Sequence, residues 1–163
     1  ASRPPASSGL AFLPLLAGER SLGFAPRATG AIAGLTQATT AEDILHAGLE
    51  AVALTFAGVD EALDRTVPGA RRLVASGGGL LSSPAWMQMM ADAVGKPLAV
   101  RREAMEASSQ GAAELALASL GVRRASSVRT GRNVEPREAA HAAYVEAARE
   151  QGWLYTALIE GRS

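Results

Sequence analysis

A chain of 163 residues, 48% apolar and 20% charged, is long enough for one domain of ordinary size with a buried core, and its composition excludes a disordered chain. Sixteen basic residues balance sixteen acidic ones, which excludes a global electrostatic pull toward nucleic acid or anionic lipid. The absence of cysteine excludes disulfides, iron–sulfur ligation and thiolate zinc sites.

Residues 1–8 are rich in Pro and Ser and read as a loose N-terminal segment. The chain opens Ala1-Ser2-Arg3 without a methionine, which reads as a processed chain or a piece of a longer one. The apolar run Gly9 to Ala17 is too short for a bilayer, which needs roughly 20 residues, and is broken by Pro14. Its Leu10–Leu16 part is expected to be a buried strand, and with no export signal the expected location is cytoplasmic. Glu19-Arg20 follows in a Gly-flanked loop. On local sequence alone it reads as a solvated ion pair worth roughly 0–1 kcal/mol. Gly30 to Leu35 is a short apolar segment bracketed by glycines.

Thr40 followed by Asp43 is a helix-capping signature, and a helix is expected over 41–64. Its apolar face reads as Ile44, Gly48, Val52, Thr55, Phe56, Val59 and Leu63, widened by Leu45 and Leu49. Gly48 in mid-helix predicts a close neighbour. Pro68-Gly69 ends the unit. Arg72–Ser76 reads as a buried strand running into Gly77-Gly78-Gly79. Ser83 and Pro84 then supply an N-cap and a first helical position, and the helix stops at Gly95. Its Trp86, Met87, Met89 and Met90 read as core. Pro97–Val100 is a further strand, and Glu106–Leu120 a helix whose Gly111 again suggests close packing. Residues 122–135, with Arg123, Arg124, Arg129 and Arg132, read as an exposed linker. No aromatic residue is interleaved there, so nucleic acid is not an expected partner. A last helix is expected from Pro136 to Ile159, within 136–160. His46 and His141 lie nearly a hundred residues apart without metal-ligand spacing, and read as packing or solvated residues.

The order helix, strand, Gly-rich turn, helix, strand, helix is alternating α/β. Three glycines between strand and helix let a ligand approach the backbone, and the following helix adds partial positive charge. The turn is neither a Walker loop nor a dinucleotide fingerprint, so alone it also fits an ordinary tight turn.

Four ordered segments carry a resemblance. They are Phe12-Leu13-Pro14-Leu15-Leu16-Ala17-Gly18-Glu19-Arg20-Ser21; Gly30 to Thr36 with Asp43 to Glu50; Ser76 to Gly79 through Ser82-Ser83-Pro84-Ala85-Trp86-Met87-Gln88 to Pro97; and Glu106 to Ala113. Together they resemble the C-terminal domain of FGGY carbohydrate kinases, the group containing glycerol kinase, xylulokinase and gluconokinase, over about 9–121. The wording of the first and third segments leans toward the gluconokinase-like branch.

The resemblance implies a ribonuclease H-like domain of the actin/hexokinase-like ATPase class, helix-rich and α/β, with an incomplete sheet. It implies an ATP-dependent sugar or polyol kinase that uses Mg2+. Gly77, Gly78, Gly79, Ser82 and Ser83 would lie beside the adenosine, and Glu19 and Arg20 toward the interdomain face. The family's catalytic aspartate belongs to a Gly-Asp-Gln-like segment upstream, and its phosphate-binding Gly-Thr turns are upstream too. No catalytic residue and no metal ligand is therefore expected in this chain. The expected partners are a sugar or sugar-acid substrate and the missing N-terminal kinase half, with no membrane, and a homodimer is left open. A non-catalytic nucleotide-binding or interaction module derived from the kinase fold is the alternative.

Overall fold

A computed structural model describes residues 3–67, 72–101, 107–122 and 130–162. Pro68-Gly69, Glu106, Arg123, Arg124 and Arg129 lie outside the described residues. The chain begins with two short antiparallel strands, β1 (Ala11–Leu13) and β2 (Ala31–Ala33), in register Phe12 to Ile32. The long helix α1 (Ala41–Thr66) follows. Then come β3 (Leu73–Ala75), a single helical turn α2 (Gly78–Leu81), α3 (Pro84–Val94) and β4 (Leu98–Arg101). The chain continues with α4 (Ala107–Ser119), β5 (Thr130–Val134), α5 (Glu138–Leu158) and a closing 3-10 turn (Glu160–Arg162). β3, β4 and β5 form one sheet in that order, β3 parallel and β5 antiparallel to β4.

The residues before α1 are tied to it. The Ala6 N–H donates to Glu50 Oε1 at 2.7 Å, and Arg3 pairs with Asp43. Described from Arg3 onward, the expected loose segment is thus anchored, because Glu50 is a buried carboxylate that needs donors. α1 starts in the expected capping box. Thr40 Oγ1 accepts from the Asp43 N–H at 3.2 Å, and Asp43 Oδ2 accepts from the Thr40 N–H at 2.8 Å.

The buried face of α1 is not the expected one. Ala47, Glu50, Ala51, Ala53, Leu54 and Asp60 are buried, whereas Leu45, Phe56 and Leu63 are exposed. The physical reason is close helix approach. Alanines on α1 let it seat directly on Met87, Met90, Ala91 and Ala93 of α3, and the large side chains turn the other way. Gly48 has only an ordinary contact, with Phe12 Cε2 3.9 Å from where a Cβ would stand. Gly111 has no neighbour within 4 Å. The close packing expected at both glycines is absent among the described residues.

α3 behaves as expected. Ser83 Oγ accepts from the Trp86 N–H at 3.3 Å, Pro84 opens the helix, and Gly95 closes it in the left-handed region at φ +70°. Met87 and Met90 are core. Within 122–135, Thr130–Val134 forms strand β5, not linker, because the apolar β4 offers an edge and Val134 can bury against it. Arg132 remains exposed on that strand.

α5 is held by polar groups. Asp92, fully buried on α3, accepts from the Arg137 backbone N–H at 2.7 Å and from its Nε and Nη2 at 3.0 and 2.6 Å. Gln88 Nε2 donates to Asp92 Oδ1 at 2.9 Å and to the Glu135 carbonyl at 2.8 Å. Asp92 thereby caps the first turn of α5 from a neighbouring helix, a position where a carboxylate also meets the positive end of the helix dipole. His141 Nδ1 donates to the Asp92 carbonyl at 2.8 Å, and its ring lies over Gly95. At the middle of α5, Gln151 Nε2 donates to the Phe12 and Ala51 carbonyls.

Candidate functional site

The glycine turn grows out of β3. Gly77 sits at φ +94° and ψ 138°, a conformation that only glycine adopts without strain. Gly78 and Gly79, expected as loop, are instead the first two residues of α2. The Leu81 and Ser82 N–H groups donate to the Gly77 and Gly78 carbonyls at 3.0 and 2.9 Å. The turn folds this way because Gly77 reverses the chain immediately after β3 and leaves the next residues free to start a helix.

The N–H groups of a first helical turn have no acceptor within their own helix. Nothing among the described residues lies within 4 Å of a Cβ built at Gly77 or Gly79. The backbone of the turn therefore stands beside open space. Ser82 Oγ donates to the Gly79 carbonyl at 3.1 Å, which stiffens the turn. Ser83 Oγ accepts the Trp86 N–H, so its hydroxyl hydrogen is still available as a donor. The arrangement can present uncharged backbone donors and two hydroxyls to a polar ligand, with no charged side chain among its five residues.

Glu19 and Arg20 lie elsewhere. The Glu19 N–H donates to the Ala25 carbonyl at 2.9 Å, and Glu19 Oε2 accepts from the Tyr155 hydroxyl of α5 at 2.6 Å. Arg20 is exposed. The two are not paired with each other, because the turn at Gly18 (φ +76°) aims Glu19 inward. Glu19 and Tyr155 line a cavity of about 710 Å³ between α1, α5 and the β1 segment, together with Asp60, Asp64, Lys96 and Tyr144. None of Gly77, Gly78, Gly79, Ser82 or Ser83 lines it. The structure thus brings the five glycine and serine residues together and keeps the Glu19-Arg20 loop apart from them.

Apart from Glu19, the polar residues of the cavity were not legible as site residues. Lys96 Nζ bridges Asp60 at 2.7 Å and Asp64 at 2.5 Å, and hydrogen bonding to Asp60 is the largest reason its pKa lies above the usual lysine range. Burial, followed by the Glu50 charge, pushes the Tyr144 hydroxyl above the usual tyrosine range. Their only signals in the sequence are the singularity of Lys96 and acids set within apolar helices. Among the described residues no group of three or more His, Cys, Asp or Glu is placed to hold a metal ion, and His46 stands beside Glu50, 3.3 Å away.

Tyr155 gives a direct test of the Glu19 geometry. The bond to Glu19 pushes its pKa up to about 12 from 10.0. A raised folded pKa favours the protonated form in the folded state. The bond therefore stabilises the fold fully below pH 10, and its contribution is lost between pH 10 and about 12. Tyrosinate absorbance during alkaline titration is expected to show both tyrosines, Tyr144 and Tyr155, delayed, and Glu19→Gln to bring one of them back toward 10. A titration unchanged by Glu19→Gln rules out the bond.

Comparison with known proteins gives four findings. The profile described as the FGGY family of carbohydrate kinases, C-terminal domain, matches residues 1–120. A glycerol kinase of Aromatoleum aromaticum is 34% identical over 166 aligned residues, covering 94% of this chain and 33% of that protein. A gluconokinase of Bacillus subtilis is 36% identical over 117 residues, covering 72% of this chain and 23% of that protein. A solved xylulose kinase from Rhodospirillum rubrum superposes with a TM-score of 0.77 at 32% identity, covering 95% of this chain and 32% of that one. The chain thus spans a third or less of the length of these relatives.

Proposed function

The chain belongs to the FGGY family of carbohydrate kinases, matching its C-terminal domain and sharing the actin- and hexokinase-like ATPase fold of the sugar kinases it superposes on, and from that premise we propose that it is the C-terminal portion of an ATP-dependent sugar kinase. The observation that carries the reading is the family match together with the open backbone turn at Gly77–Gly79.

In this reading the turn, Ser82 and Ser83 lie beside the adenosine of ATP. The chain's own contribution is to bind and orient the nucleotide through backbone N–H groups and hydroxyls. Transfer then forms a bond between a sugar hydroxyl oxygen and the γ-phosphorus as the bond to the β–γ bridging oxygen breaks. The hydroxyl proton passes to a carboxylate, and ADP leaves. That carboxylate is assigned to the part of the relatives' length that this chain does not span. Magnesium is expected with ATP, but the described residues offer no converging donor set for it. Glu19 and Arg20 are assigned to the interdomain face.

Gluconate is the favoured substrate on the wording of the first and third segments. The relatives named for glycerol, gluconate and xylulose match at similar identity, so this domain by itself carries little sugar discrimination. A cytoplasmic location fits a metabolic kinase, and no described helix is long and apolar enough to cross a membrane.

Gly79→Val is the clean test. A Cβ at Gly79 meets no described atom within 4 Å beyond its chain neighbours and its own helical turn, so the fold has room for a side chain that a bound nucleotide would meet. ATP affinity of the complete kinase is expected to fall by roughly tenfold or more, about 1.4 kcal/mol. Unchanged affinity removes the turn from the nucleotide site. The 163-residue chain alone is expected to phosphorylate gluconate at a negligible rate, and robust transfer by it would place the proton acceptor here after all.

A further inference from the structure

The loop from Gly18 to Arg27 keeps an arginine and its neighbouring acid apart. The Glu19 N–H donates to the Ala25 carbonyl at 2.9 Å, which closes the loop on itself. Glu19 Oε2 accepts from the Tyr155 hydroxyl of α5 at 2.6 Å. Gly23 makes room for this bond, since a Cβ there would collide with the Tyr155 hydroxyl and stand 2.6 Å from Glu19 Oε2. Leu22 lies against Gly58 of α1, its Cδ1 3.2 Å from where a Cβ would stand. Leu22 and Phe24 both occupy the left-handed region, at φ +73° and +51°. Bulky residues are strained there, and such strain persists where the surroundings impose it, most often at functional sites.

The acid adjacent to Arg20 is thus held by a tyrosine. Arg20 and Arg27 are both exposed. Among the described residues the arginines in ion pairs are Arg3, Arg65, Arg137 and Arg149, so neither loop arginine has an acidic partner there. An arginine on a braced loop with no acid on it is a ready fork for an oxyanion, because its N–H donors match two oxygens at once. The turn at Gly77–Gly79, with Ser82 and Ser83, has no cation of its own to offer such a group.

We propose that Tyr155 is a positioning residue, which by holding Glu19 leaves the Arg20 guanidinium unneutralised to bind an oxyanion of the transfer reaction. The oxyanion is a phosphate oxygen of ATP or the carboxylate of a sugar acid, and both present the same pair of oxygens to the fork. Tyr155 lies beyond residues 1–120, which the family profile matches, so the last helix serves a site through a loop far from it in sequence. The inference rests on the kinase reading above and adds to it a cation and the group that keeps that cation free.

The test begins with the 163-residue chain and the arginine reagent phenylglyoxal, with each modified arginine followed by peptide mass spectrometry and exposed Arg132 on β5 as the internal reference. Tyr155→Phe removes only the hydroxyl and frees Glu19 to pair with Arg20. Arg20 modification is expected to slow by about threefold, within the range that an exposed pair is worth. Adding Glu19→Gln to Tyr155→Phe should restore the parent rate, because an amide cannot neutralise the guanidinium. An Arg20 rate unchanged in Tyr155→Phe, or slowed and not restored by Glu19→Gln, overturns the positioning role. In the complete kinase, gluconate and a non-hydrolysable ATP analogue are then added separately. Protection of Arg20 by gluconate assigns the carboxylate, protection by the analogue assigns the phosphate, and protection by neither overturns the oxyanion site. Arg20→Ala should lower kcat/KM by about tenfold or more, and Tyr155→Phe should add no further loss in that background. Additive losses would make Tyr155 merely structural and overturn the proposal. Transfer to sugar is read separately. Protection of Arg20 without transfer upholds the arginine and counts against the kinase reading, and transfer with an unprotected Arg20 does the reverse.

Discussion

Asp92→Ala is expected to destabilise the domain by about 3 kcal/mol, read as a lower urea midpoint with an unchanged slope. Asp92 is fully buried and accepts four hydrogen bonds, three from Arg137 and one from Gln88. Its loss leaves the Arg137 backbone N–H without the acceptor that starts α5, and it leaves a cavity between α3 and α5. The partner variant separates charge from capping. The Arg137 side chain is 63% exposed, so Arg137→Ala removes a largely solvated charge and should cost only about 1 kcal/mol, because the backbone bond to Asp92 survives. Equal losses in the two variants would show that the ion pair, and not the cap, holds α5. A neutral Asp92→Ala would show that α5 docks without either.

The second large effect is expected at Gly18. Its φ of +76° lies in the left-handed region, and a Cβ there would stand 2.8 Å from the Pro26 carbonyl carbon and closer still to its oxygen. Both obstacles are backbone and cannot rotate away. Gly18→Ala is therefore expected to cost roughly 2–4 kcal/mol, of which about 1–2 is the left-handed conformation itself. The displaced loop should also withdraw Glu19 from Tyr155, returning that tyrosine toward 10.0. The same exchange at Gly48 is a control. Its backbone is helical and its neighbour 3.9 Å away, so Gly48→Ala should stabilise by about 0.5–1 kcal/mol. Stability and tyrosine titration both unchanged in Gly18→Ala would contradict the loop geometry.

The helices were legible wherever local chemistry sets their ends. Thr40 with Asp43, Ser83 with Pro84, and Gly95 are decisions made within one turn of chain, and each fell where the sequence puts it. The face that α1 buries was not legible. Hydrophobic periodicity identifies a stripe of large apolar residues, whereas the choice of buried face depends on which side lets another helix approach closely. Alanine permits the approach, and a stripe defined by size and hydropathy passes over it. β5 was hidden for a related reason: Gly131-Arg132-Asn133 at its centre has little strand propensity, and pairing with β4 makes it a strand. At the candidate site, the glycines announce a backbone turn, and Gly77 meets that expectation. That Gly78 and Gly79 begin a helix could not be read from them, since glycine favours no single conformation. Glu19 was visible as a charge beside Arg20. Its partner, Tyr155, lies 136 residues away, beyond the reach of any local pattern.

The bridge from Lys96 to Asp60 and Asp64 concentrates the protein's amine chemistry in one guarded group. Lys96 is the only side-chain amine in 163 residues, every other basic residue being arginine or histidine. Its raised pKa keeps the nucleophilic neutral form scarcer than in a free lysine. Reagents and modifying enzymes that act on lysine therefore meet a single target. They meet it where the turn after α3 is fastened to the last turns of α1, so acylation of this one nitrogen would both mark that joint and unfasten it.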